Sequence, residues 1–145
     1  MVSCGAAVSE TQHPRRRLRS TGAVLAGIVV GAALSLGADE ALHRTGTYPP
    51  WGLPMSGVLY LLATSYRIPF NIAGSYVMAW LAPDRPMQHA LAGGVLGLAL
   101  SIVGAAVTWN RNLGPHWYPI TVAAIALPCA WAGGKIRLVQ LHASS

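Results

Sequence analysis

The chain has 145 residues, enough for one domain. Only 10% are charged and 53% are hydrophobic, against about 25% charged in a soluble domain, so polar side chains are too few to cover a water-facing fold. The net charge of +6 does not imply nucleic acid, because much of it sits in Arg15-Arg16-Arg17-Leu18-Arg19, directly before an apolar run, as a cytoplasmic flank does.

Residues 1–20 read as a basic, disordered cytoplasmic tail, residues 21–138 as a transmembrane domain, and residues 139–145 as a cytoplasmic C-terminal tail. Within the domain, the stretches 21–38, 55–82, 87–109 and 117–134 are each long enough, as helices, to cross the ~30 Å hydrocarbon core. The expected fold is all-α, a four-helix transmembrane bundle with both termini inside, multi-pass in a bacterial inner membrane.

The first span ends in Asp39-Glu40 and carries Ala23, Gly27, Gly31, Ser35 and Asp39 at four-residue steps, a packing face that includes a GxxxG. A rival reading takes this span as a cleaved signal peptide, with a basic flank and small residues over 35–38; a disposable segment has no need of a patterned face. Thr45-Gly46-Thr47-Tyr48-Pro49-Pro50-Trp51 then reads as a loop, since its glycine and prolines break helix.

The second span contains Arg67, Pro69, Asn71 and Ser75, and ends at Pro83. Pro69 frees the carbonyl of Ser65, and Pro128 in the fourth span frees that of Ala124; a locally satisfied kink is the ordinary reading. The connector Pro83-Asp84-Arg85-Pro86 is short enough to make spans two and three antiparallel neighbours, with Asp84 placed as a cap and Pro86 in the first turn.

Span three repeats small residues at Ala90, Gly94, Gly97, Ser101, Gly104 and Thr108, a seam for close helix approach. Ala126, Ala130 and Gly133 make a shorter seam in span four. The partner of these seams is either internal or another subunit.

With the N-terminus inside, the inner side holds Arg15, Arg16, Arg17, Arg19, Arg85, Lys135 and Arg137, and the outer side holds Arg44 and Arg111. Trp51, Trp109 and Trp117 fall at the outer boundary, Trp80 and Trp131 near the inner one, as an aromatic belt does.

Charges inside the bilayer cost several kcal/mol unless paired, hydrated or able to snorkel. Asp39 lies about 30 Å of helix beyond Arg19, and Arg67 about 24 Å before Pro83. Both therefore reach the outer part of the membrane at similar depth, and Arg67 is expected to pair with Asp39 or Glu40. Asp39, Glu40, Arg67 and Asn71 form the candidate ion pair or polar site. The candidate packing seam is Gly27, Gly31, Gly94, Gly97, Ser101 and Gly104.

No metal-ligand spacing links Cys4, Cys129 or the histidines, and no phosphate loop, nucleophile elbow or dinucleotide fingerprint is present. No cofactor, metal or enzymatic activity is expected.

Gly74-Ser75-Tyr76, Ala79-Trp80-Leu81-Ala82-Pro83, Arg85-Pro86-Met87 and His89-Ala90 resemble small uncharacterised four-span bacterial integral membrane proteins. That resemblance implies the topology and carries no activity. The first functional reading is a structural or accessory membrane component, with the lipid bilayer and either a second copy or a larger membrane protein as partner, and no nucleic acid. The second is a small transporter or channel subunit using the polar site. The third is a membrane-embedded enzyme, for which no catalytic constellation can be assembled.

Overall fold

A computed structural model of the protein describes residues 6–110 and 114–144, with side chains from residue 17 onward. The described residues form four helices and no strand: α1 (Ala6–Arg44), α2 (Gly57–Leu81), α3 (Pro86–Thr108) and α4 (Trp117–Ala143). Three of them are long and apolar enough to cross a membrane: α1 over Arg17–Arg44, α3 and α4. The second helix is less apolar because Thr64, Ser65, Tyr66, Arg67, Asn71 and Ser75 interrupt it.

The end helices run further than the sequence suggests. The tail assigned to residues 1–20 is helical from Ala6, over a segment rich in the helix formers Ala, Glu, Gln and Arg. Residues 139–143 continue α4 instead of forming a tail. No glycine or proline follows Gly134 to stop that helix, and Gly133 and Gly134 are buried contact points within it.

Asp39 and Glu40, expected to end the first span, lie inside α1. The helix stops only after His43 and Arg44, basic residues that suit the negative end of its dipole. Gly46, at φ 74°, then turns the chain in the left-handed region, with its N–H bonded to the His43 carbonyl at 3.1 Å. Pro69 and Pro128 interrupt neither α2 nor α4. The residue capping α3 is Arg85, in the left-handed conformation at φ 47°, not Asp84.

The packing places small residues inside and large ones outside. Ala23, Ala63, Ala79, Ala90 and Ala130 are buried, whereas Leu25, Val29, Leu61, Leu96, Leu100, Val103, Val107 and Ile120 are exposed. All five tryptophans are exposed as well, Trp51, Trp80, Trp109 and Trp117 at or beyond helix ends and Trp131 mid-way along α4. Among the described residues α2 is the central helix, touching α1, α3 and α4, while α3 pairs along α4.

Close approach explains the glycines at these contacts. A methyl group on Gly133 of α4 would sit 2.6 Å from the Ile72 carbonyl and 2.7 Å from the Tyr76 nitrogen, both backbone atoms of α2. One on Gly74 would sit 2.7 Å from the Gly27 carbonyl of α1. The expected seam of α3 is divided: Gly94 packs on Ala130 of α4, but a methyl on Gly97 or Gly104 meets nothing within 4 Å. Only the first half of that seam is a helix contact; Gly97, Ser101 and Gly104 line cavities.

Candidate functional site

A polar cluster lies at the end of the bundle where α1 and α3 finish and α2 and α4 begin. It assembles because three helices each bring one residue type that apolar surroundings cannot solvate. The carboxylate of Asp39, from α1, receives the Arg67 guanidinium of α2 through Nη2 to Oδ2 at 2.7 Å. The two side chains are 11% and 19% exposed. An exposed ion pair contributes little; a shielded one is costly to break, because either partner left alone is an uncompensated charge.

Tyrosines complete the coordination. The Tyr66 hydroxyl donates to Oδ1 of Asp39, so the carboxylate is held at both oxygens. Having given its proton there, Tyr66 can only accept from Tyr48, whose hydroxyl lies 3.2 Å away and also reaches the Leu59 carbonyl at 3.4 Å, so Tyr48 divides its one proton between the two. Tyr48 is buried, although it comes from the loop after α1. On the other side, Arg67 Nη1 donates to the Tyr118 hydroxyl of α4 at 2.9 Å, and Tyr60 packs against the Tyr118 ring with centroids 4.8 Å apart.

The loop over residues 45–56 is pinned onto this cluster. His43 Nδ1 donates to the Asp39 carbonyl at 2.7 Å, which places that ring's proton on Nδ1, since a carbonyl only accepts. The His43 ring stacks on Trp51 at 3.8 Å between centroids and meets Tyr48 edge-on at 5.3 Å.

Of the four residues expected to share a site, the structure joins Asp39 and Arg67. Glu40 points away and binds Arg44 one turn on, at 2.7 Å, in an exposed pair. Asn71 lines a separate cavity of about 280 Å³ beside Gly27, Gly31, Gly74 and Gly97. Arg111 lies outside the described residues. The sequence reading missed Tyr48, Tyr66 and Tyr118. Their one visible signal is that Tyr66 adjoins Arg67 in the sequence.

Arg67, Tyr60 and Tyr118 form a wall between two cavities. One, of about 250 Å³, also meets Asp39, His43, Tyr48 and Trp51. The other, of about 370 Å³, lies toward α3 and meets Ser101, Thr108, Trp109 and His116. Comparison with protein-family models, with curated proteins and with solved structures gives no match.

The far end of the bundle offers less chemistry. Arg137 Nε is buried without a partner among the described residues, Tyr76 donates to Gln140 at 2.9 Å, and Lys135 Nζ lies 6.0 Å from the Trp131 ring centroid. Cys129 is a buried free thiol packed in α4. No group of three potential metal ligands occurs among the described residues.

Proposed function

We propose that this chain is a four-span membrane protein with both termini in the cytoplasm of a bacterium, and that it serves as a structural or accessory component of the inner membrane. The inside-out packing supports the membrane setting: leucines and valines cover the exterior and alanines and glycines fill the contacts. The second helix counts as a span for a topological reason. Four residues separate it from α3, so if α1 and α3 cross in one direction α2 must return between them. Its 25 residues measure about 37 Å, sufficient for the crossing. Its polar side chains are tolerable because three helices surround it.

Orientation rests on the basic residues. Arg17, Arg19, Arg85, Lys135 and Arg137 gather at one end, and Arg44 stands at the other. The bacterial setting rests on the resemblance of residues 74–90 to small four-span bacterial membrane proteins. Retention of the first span, against its removal as a signal peptide, is supported by the burial of Ala23, Gly27, Gly31 and Asp39 in the bundle.

One observation favours a structural role for the charged pair: Asp39 and Arg67 bind each other and tyrosines from two elements. This is a fastening of α1, α2 and α4. Native mass spectrometry from lipid nanodiscs tests the accessory role. A defined oligomer or a co-purifying chain is expected; a monomer with nothing bound overturns it.

The two cavities that meet at Arg67 favour a second reading, a small transporter or channel subunit. In that case Asp39→Asn abolishes solute-driven flux in liposomes while the protein stays folded. Absence of flux in the unaltered protein under every gradient tried removes this reading.

A further inference from the structure

The larger cavity beside Arg67 presents hydrogen-bond donors with no carboxylate to meet them. Arg67 makes two side-chain hydrogen bonds among the described residues, to Asp39 and Tyr118. A guanidinium accepts no hydrogen bond and does not lose its proton, so its other N–H groups call for acceptors. Asp39 lines only the smaller cavity. In the larger one, Tyr118 has accepted the Arg67 bond and keeps its own proton, and Ser101 lines the same space. Thr108 gives its one proton to the Gly104 carbonyl at 2.8 Å and so adds no donor to this space.

The volume, about 370 Å³, falls in the range of small-ligand sites. The rim is formed by Trp109 and by Gly114, Pro115 and His116, at the end of the bundle. Away from the cavity, the outer face of α3 is apolar and open, with Leu100, Val103 and Val107 exposed. A phosphate reaching Arg67 through this opening leaves a lipid's hydrocarbon to lie on the outer apolar face of α3. Asp39 holds the guanidinium from behind, orienting its unused donors; that contact and the ligand contact are compatible.

We propose that this cavity binds a phosphate-class oxyanion through Arg67, with the Tyr118 and Ser101 hydroxyls as further donors. The source is either the headgroup of a phospholipid or free phosphate. Charge-assisted, forked contacts of this kind are the strong ones for arginine and phosphate. The proposal goes beyond the accessory role, and its phosphate arm does not depend on that role or on the topology.

The test uses the full chain purified in detergent, with three probes: phosphatidylglycerol, a diacylglycerol of the same chains, and inorganic phosphate. Binding is read by native mass spectrometry and by the shift in melting temperature. Phosphatidylglycerol is expected to bind at least about ten-fold tighter than diacylglycerol, as one charge-assisted contact implies. Competition by inorganic phosphate assigns the site to the oxyanion alone; retention of phosphatidylglycerol without competition assigns it to the lipid. Gly104→Phe projects into the cavity from a position with open space around it and leaves the Asp39–Arg67 contact alone. It should abolish binding while the ligand-free melting temperature holds. If Gly104→Phe fails to fold, Ser101→Val removes one donor and should weaken binding several-fold. Equal binding of the two lipids with no effect of phosphate, or unchanged binding in the folded variant, overturns the proposal.

Discussion

Tyr66 and Arg67, adjacent in α2, take the two oxygens of one carboxylate, that of Asp39 in α1. Successive side chains on a helix point about 100° apart, so both can meet one acceptor only if that acceptor faces the seam between them. The Asp39 position on α1 provides this, and Tyr118 from α4 then closes the opposite side of the guanidinium.

Removing either charge should therefore be severe. Asp39→Ala or Arg67→Ala is expected to cost about 3–5 kcal/mol, the usual penalty for orphaning a shielded charge, read as lost expression and a lower unfolding temperature in detergent. The double exchange Asp39→Arg with Arg67→Asp should recover part of that loss. A double variant as poor as either single one would show that the 2.7 Å contact is not what fastens α1 to α2.

The neighbouring Glu40–Arg44 pair provides the contrast. It is exposed and local to one helix turn, so Glu40→Gln should leave the melting temperature unchanged within error. A large effect would mean that Glu40, which also meets the Trp51 side chain, helps hold the loop to α1.

How far the site could be read from sequence depends on which contacts are local. The depth arithmetic that brings Asp39 and Arg67 together needs only helix rise and two turns. It cannot choose between Asp39 and Glu40, which differ by one residue in depth; facing decides that, and Asp39 shares its face with Gly31 and Ala23. Asn71 is grouped with Arg67 by four-residue spacing, which keeps it on the same face but about 6 Å along the helix, where that face meets Gly27 and Gly31 of α1 instead of Asp39. Tyr48 and Tyr118 were not legible at all, since one comes from an irregular loop and the other from a helix far along the chain.

The fold was clearer than the site, because helix length and apolarity are composition-level signals. Spacing alone, however, could not say which glycines touch. Gly133→Leu drives a branched side chain into the α2 backbone, so a loss of about 3 kcal/mol or more is expected from overpacking. Gly97→Ala, with open space around it, should lie within about 0.5 kcal/mol of the parent. Unfolding of both variants in detergent gives the comparison; equal effects would contradict the divided seam.

Removing the Tyr66 hydroxyl tests the second oxygen of Asp39. Tyr66→Phe leaves the ring packing against Phe70 in place and takes away one charge-assisted donor, for about 1.5–3 kcal/mol. In a double-mutant cycle with Tyr118→Phe the two losses should not simply add, because both act through one ion pair. Strict additivity would mean that the tyrosines hold separate elements.

Topology is open to direct measurement. A cysteine at Thr47 should react with a membrane-impermeant reagent added to intact cells, and one at Asp84 should react only after lysis. The opposite pattern would invert the orientation drawn from Arg17, Arg19, Arg85, Lys135 and Arg137.

The alanine- and glycine-lined interior has a thermodynamic corollary. Since the outward leucines and valines stay in oil whether the helices are associated or parted, separating them exposes little apolar area to water. The heat-capacity increment that bends the stability curve of a water-soluble protein should be nearly missing for helix separation in a bilayer. Calorimetry in lipid should show an almost straight dependence of stability on temperature, and cooling should not loosen the bundle.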